Sequence, residues 1–178
     1  MFRLLAAAAL AFVLAAPFPA SAQSSDPENT LIVETTKGTF IIQLRPDLAP
    51  NHVARVKELA REGFYNGTPF HRVIDSFMAQ GGDPEGTGKG GSSKPNLAAE
   101  FTDTNFGRGT IGAARTSDPN SANSQFFICF QDCAFLNGTY TVWGEVVEGM
   151  EVVDALEKGE PPANPDQIVS ARLTADAQ

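Results

Sequence analysis

Arg72 and Gln80 lie within one mostly apolar stretch, Phe70-His71-Arg72-Val73-Ile74-Asp75-Ser76-Phe77-Met78-Ala79-Gln80. Arg72 brings a permanently charged guanidinium with five donors, and Gln80 a carboxamide that both donates and accepts. Apolar side chains around them would remove water from whatever is held there. A second piece, Ser124-Gln125-Phe126-Phe127-Ile128, puts Gln125 and Phe127 on one strand face and Phe126 and Ile128 on the other. One face can serve a core and the other a site. The third piece, Phe135-Leu136-Asn137-Gly138-Thr139-Tyr140, continues the aromatic theme. Taken singly, each also reads as ordinary core aromatics, with an arginine whose stem lies on apolar surface.

Other chemistries fit less well. No G-x-S-x-G elbow is present and His71 has no distinctive partner in sequence, so a nucleophilic hydrolase is a distant reading. Gly86-Thr87-Gly88-Lys89-Gly90-Gly91 matches G-x-G-x-x-G formally. It is followed by Ser92-Ser93-Lys94-Pro95, which cannot open the helix a pyrophosphate needs, and Asp83 stands where a phosphate-binding P-loop requires glycine. The segment reads as a shaped surface loop. Cys129 and Cys133, with His52 and His71 far upstream, match no common zinc pattern. A disulfide between them needs Cα atoms within about 7 Å and hence an immediate tight turn after a strand. A bridge and two buried free thiols both remain open, the thiols being favoured.

The elements that must position these residues are mostly short strands. Leu31–Thr36 and Thr39–Leu44 are β-branched runs joined at Lys37-Gly38, a hairpin pattern. Further strands are predicted at Phe70–Val73, Phe77–Gln80, 97–101, 110–114, 125–129, 141–147 and 168–173, with a glycine-rich loop over 81–96. Val53, Val56, Leu59 and Ala60 recur at helical spacing, with Asn51 as the expected N-cap and Gly63 as the stop. A short helix is predicted over Met150–Leu156. Many strands and few helices point to an antiparallel barrel or sandwich.

Residues 1–22 are set apart from this domain. Arg3, an apolar run from Leu4 to Leu14, and Ala20-Ser21-Ala22 have the form of a secretory signal. The run is shorter than the ~20 residues of a membrane span, so export without membrane insertion is expected. Cleavage after Ala22 would leave a polar lead-in over 23–29 and a domain over 30–178. The formal charge of −8 would become −9 with the loss of Arg3. An acidic surface disfavours nucleic acid and anionic membranes as partners. The 178 residues suit one domain, and 13 Phe against 2 Tyr and 1 Trp favour aromatic walls that need no hydrogen-bond partner.

From about Thr30 to Leu173 these pieces closely resemble the cyclophilin family of peptidyl-prolyl cis-trans isomerases. The block from Phe70 to Asp83, F-H-R-V-I-D-S-F-M-A-Q-G-G-D, is far more specific than a short motif. The resemblance implies a mainly β fold, an eight-stranded antiparallel closed β-barrel capped by two α-helices, with the substrate groove on its outer wall. It implies that Arg72 and Gln80 are catalytic. It implies a proline pocket walled by Phe77, Met78, Phe127 and Leu136, with His71, Phe135 and Tyr140 also at substrate-binding positions. Ala114, Arg115 and Thr116 match an edge whose backbone pairs with the peptide, and Gln125 a polar contact beside it. No cofactor and no metal are implied. The partners implied are unfolded or loop proline-containing polypeptides, bound by a monomer. A non-catalytic binding module or chaperone on the same fold is the second reading. Phe135 stands where the most familiar members carry tryptophan, and Tyr140 where they carry histidine. Both look like the bacterial branch, which makes the periplasm the expected destination. Loss of the indole donor implies weak cyclosporin binding. Around Asp118 the loop is one residue longer than the eukaryotic pattern.

Overall fold

Strands β1 (Thr30–Thr35) and β2 (Gly38–Leu44) form the first hairpin of the computed structural model, which describes residues 26–177. The turn is Thr36-Lys37, one residue earlier than expected, because Gly38 already pairs with Thr35. The Thr35 hydroxyl donates to the Gly38 carbonyl (2.9 Å) and closes the turn. The expected signal at 1–22 lies outside the described residues. Within the lead-in, Pro27–Asn29 make a 3-10 turn capped by the Asp26 carboxylate.

The other strands are β3 (Arg72–Ile74), β4 (Met78–Gly81), β5 (Thr110–Ala113), β6 (Phe126–Cys129), β7 (Val142–Glu148) and β8 (Ile168–Leu173). They form one sheet in the order β3-β4-β6-β5-β7-β2-β1-β8, and every neighbouring pair is antiparallel. The closed barrel expected from the resemblance is corrected here. The end strands β3 and β8 share no ladder, so the sheet is an open, curled half-barrel. Across the gap run isolated bridges, Pro69 to Gln167 and Val73 to Gly159. Around Pro69 the Phe70 N–H donates to the Asp166 carbonyl (2.9 Å) and the Ile168 N–H to the Thr68 carbonyl (3.0 Å), but no ladder continues between β3 and β8.

The segment 97–101 is not a strand. Its backbone N–H groups find other acceptors: Leu97 the Ala122 carbonyl, Ala99 the Asn120 side chain, and Glu100 the Thr141 hydroxyl. Only one isolated bridge, Leu97 to Ala122, remains.

Helix α1 (Pro50–Arg61) buries His52, Val53, Val56, Leu59 and Ala60. Asn51 is not its N-cap. Ala49 holds that position, Pro50 opens the first turn, and the Glu100 carboxylate accepts the N–H groups of Asn51 (3.0 Å) and His52 (3.0 Å). A carboxylate from a distant loop thus satisfies two orphan donors and the positive end of the helix. The stop at Gly63 is as expected: with φ of 68° it donates to Ala60, and Phe64 donates to Leu59, a Schellman closure. Helix α2 (Met150–Asp154) is shorter than expected and follows Gly149 in the left-handed region.

Alternation along the strands divides the apolar residues between two clusters. The main core gathers Phe40, Ile42, Leu44, Phe70, Ile111, Phe126, Ile128 and Trp143 with the buried face of α1. A second cluster of Met78, Phe106, Phe127, Cys129, Cys133, Leu136 and Val142 lies on the opposite face, with Phe77, Ala114 and Tyr140 packed against it.

Candidate active site

The second cluster floors a recess of about 120 Å³ lined by Arg72, Phe77, Met78, Gln80, Ala114, Arg115, Phe127, Leu136 and Tyr140. Three adjacent strands supply its polar end. Arg72 on β3 is directly opposite Gln80 on β4, and Gln80 is opposite Phe127 on β6. Cross-strand neighbours sit about 4.5–5.5 Å apart, which is why residues remote in sequence converge.

Their side chains form a chain of hydrogen bonds. The Arg72 Nη1 lies 3.5 Å from Gln80 Oε1, a long contact. Gln80 Nε2 donates to Gln125 Oε1 (2.9 Å), and Gln125 Nε2 donates to the Gly90 carbonyl (2.8 Å). Both carboxamides are therefore oriented, and Gln80 turns its oxygen towards the guanidinium.

The apolar walls are aromatic and mutually supported. Phe127 is stacked on Phe106 (centroids 5.7 Å apart) and meets Tyr140 edge-on (5.5 Å). Gly112, opposite Phe127 on β5, makes room for this ring: a Cβ there would stand 2.4 Å from Phe127 Cζ. Phe135 is 71% exposed and packs on Phe77 at the rim rather than lining the recess. The Arg115 guanidinium lies 4.4 Å above the Tyr140 ring and donates to the carbonyls of Thr116 and Thr139.

A wider groove of about 490 Å³ adjoins the recess through Gln80, Ala114 and Arg115, and Gln125 and Thr116 line it. Its far wall is the glycine-rich loop at Gly88–Gly91, a shaped surface loop as the sequence suggests. Along the edge segment, the Ala114 N–H is taken by the Gln125 carbonyl and the Thr116 N–H by Ser121 Oγ. Any peptide pairing there falls to other backbone groups.

His71 lines neither space. It is buried beneath the loop, where a Cβ on Gly88 would lie 3.7 Å from its ring, and burial pushes its pKa down. The structure thus gathers the expected site residues around one recess and groove, with His71 behind them and Phe135 on the rim.

The loop is organised by Asp83, a residue the sequence reading left without a role. Its buried carboxylate accepts the N–H groups of Glu85 (2.8 Å), Thr87 (3.0 Å), Gly88 (2.6 Å) and Gly90 (3.2 Å). Burial acts to raise its pKa, but these donors, with His71 nearby, hold it below the usual carboxylate range. With the folded value below the unfolded one, Asp83 stabilises the fold above the ordinary value of about 3.9. That contribution is lost as pH falls through the folded value. The urea midpoint should therefore drop more steeply on acidification below about pH 4 in the parent than in Asp83→Asn, which starts lower at neutral pH. Parallel pH curves for the two proteins are the contrary result.

The two cysteines are free and buried. Burial pushes both thiols up in pKa, and they sit beneath the recess rather than in it. Among the described residues, no group of three or more His, Cys, Asp or Glu side chains converges to hold a metal ion, and no helix is long and apolar enough to cross a membrane.

Known proteins resemble this chain in sequence and in fold. The family described as cyclophilin type peptidyl-prolyl cis-trans isomerase/CLD matches residues 30–173. A probable peptidyl-prolyl cis-trans isomerase of Brucella suis is 50% identical over 190 residues, covering 97% of each chain. A peptidyl-prolyl cis-trans isomerase of Synechococcus elongatus is 40% identical over 82% of this chain and 97% of its own. Among solved structures, the cyclophilin AquaCyp293 of Hirschia baltica superposes with a TM-score of 0.79 at 34% identity, covering 85% of this chain and 76% of its own. A cyclophilin type isomerase of Cryptosporidium parvum, crystallised in the presence of the dipeptide Ala-Pro, gives 0.75 at 29% identity over 81% and 98%. The shared half-barrel and the extent of these matches lead to one conclusion: the chain belongs to the cyclophilin family of peptidyl-prolyl cis-trans isomerases.

Proposed function

We propose that this isomerase acts on Xaa-Pro bonds in unfolded or loop segments of exported polypeptides, with the proline ring in the recess and Arg72 bonded to the twisting amide. The observation that carries this reading is the placement of Arg72 and Gln80 side by side at the polar edge of a recess otherwise walled by Phe77, Met78, Phe127 and Leu136. The Ala-Pro dipeptide used with the Cryptosporidium relative supports a proline-containing ligand.

Rotation about an Xaa-Pro bond faces a barrier of roughly 18–20 kcal/mol because resonance flattens the amide. The reaction makes and breaks no covalent bond. A catalyst must favour the twisted amide, whose prolyl nitrogen becomes pyramidal and regains a lone pair. The guanidinium donates to that nitrogen or the adjacent carbonyl more strongly as rotation proceeds, so it lowers the barrier rather than merely binding. A charged hydrogen bond supplies about 1.5–3 kcal/mol, whereas a hundred-thousand-fold acceleration needs about 7. The remainder is assigned to holding the ring still while the other side turns, and to excluding water.

The signal-like segment at 1–22 supports export, and the periplasm is the proposed destination of a monomer that binds neither nucleic acid nor membrane. Phe135 offers no N–H donor, so cyclosporin should bind weakly. The purified protein should accelerate cis-to-trans conversion of a proline tetrapeptide in proportion to enzyme concentration. Binding of the peptide without acceleration, seen by exchange NMR, would instead support a non-catalytic chaperone or binding module.

A further inference from the structure

Arg72 has a second partner that lies outside the recess. Its Nε donates to Glu160 Oε2 at 2.8 Å, much closer than the 3.5 Å contact from Nη1 to Gln80. Among the described residues Nη2 makes no hydrogen bond, so the guanidinium is held through Nε and Nη1 and keeps Nη2 free. Glu160 is not among the residues lining the recess.

The backbone around Glu160 is built to hold this position. Gly159 exchanges two hydrogen bonds with Val73, each 2.8 Å, so the residues following and preceding that bridge, Glu160 and Arg72, are set side by side. Only glycine fits at 159: with φ of 155°, a Cβ would stand 2.5 Å from Pro162 Cα. Pro161 and Pro162 then restrict the chain immediately after the glutamate. Asp166 secures the rest of the loop by accepting the Glu157 N–H (2.8 Å) and the Thr36 hydroxyl (2.7 Å). A stiff loop thus presents a carboxylate to Nε of the guanidinium.

We propose that Glu160 is a positioning residue for isomerisation: it pins Nε of Arg72 so that the guanidinium is aligned before substrate arrives. The inference rests on the reading of Arg72 as the group bonded to the twisting amide. An arginine side chain carries considerable rotamer freedom, and an unpinned Arg72 must be ordered anew in each transition state. Since the arginine's bond strengthens as the amide twists, the effect falls on kcat rather than on KM.

The test compares Glu160→Ala and Glu160→Gln with the parent in steady-state isomerisation of a proline tetrapeptide, together with the NMR resonance of the Arg72 Nε–Hε group. Glu160→Ala should lower kcat by about 3–10-fold with KM within about twofold and Tm unchanged, the pair being exposed on both sides. Its Nε–Hε proton should shift towards the free-arginine position and exchange faster with water. Glu160→Gln, which keeps an acceptor without the charge, should stand between the two. A parental kcat in Glu160→Ala, or an Nε–Hε resonance that does not move, overturns the proposal. If Arg72→Ala slows the reaction while Glu160→Ala does not, only the role of Glu160 falls. If Arg72→Ala is itself as fast as the parent, the underlying reading of the arginine falls with it.

Discussion

Arg72→Ala is expected to lower kcat/KM towards a proline tetrapeptide by about 10–150-fold, the range that corresponds to losing one charged hydrogen bond of 1.5–3 kcal/mol. The loss should sit mainly in kcat, because the bond is strongest when the amide is twisted. Stability should hardly change. The Arg72 side chain is 43% exposed and its ion pair with Glu160 is open to solvent, so removing it costs at most about 1 kcal/mol. Arg72→Lys should not restore the rate, since an ammonium cannot donate from a planar fork to Gln80, Glu160 and substrate together. The measurement is the protease-coupled or NMR exchange rate at matched enzyme concentration, with Tm recorded beside it. An Arg72→Ala protein as fast as the parent would reject the mechanism.

Phe127→Ala should damage both fold and function. The ring is 6% exposed and packs between Phe106 and Tyr140, and truncating a buried phenylalanine costs about 3–5 kcal/mol. For a domain of this size that is a fall in Tm of about 6–20 °C. Phe126→Ala provides the contrast. Its ring, 5% exposed, packs against Tyr65, Phe70 and Trp143 in the main core, so the stability loss should be similar. At a temperature where both variants remain folded, Phe127→Ala should raise KM several-fold or more while Phe126→Ala keeps near-parental kinetics. Equal kinetic damage from the two would show that the recess is not where the substrate sits.

The neighbouring pair Phe126 and Phe127 also shows how far a one-dimensional reading reaches. Strand alternation alone separates them onto two faces, and the structure places one in each apolar cluster. Elements whose stabilising contacts are local were legible in the same way. The helix over Pro50–Arg61 with its stop at Gly63, and the strand at 168–173, follow from periodicity and from a glycine that tolerates positive φ. Elements whose partners are remote were not. Asn51 has the side chain of an N-cap, but the carboxylate of Glu100 occupies that role from another part of the chain. The run at 97–101 has strand character, yet side chains of Asn120 and Thr141 satisfy its backbone instead of a ladder.

At the site, the order of residues already names the groups on offer: a guanidinium, two carboxamides and a set of aromatic and aliphatic walls. The specificity of the block from Phe70 to Asp83 was enough to point to the family. Tertiary structure alone decided how these groups are oriented. Cross-strand register sets Arg72 opposite Gln80, and a loop 88 residues downstream brings Glu160 to the arginine's Nε. It also turned His71 under the glycine-rich loop, made Asp83 the anchor of that loop, and left the half-barrel open between β3 and β8. The physical reason is the same throughout. Residue type and spacing govern propensities and faces within a few residues, whereas hydrogen-bond partners and packing between distant segments are chosen only when the whole sheet has curled.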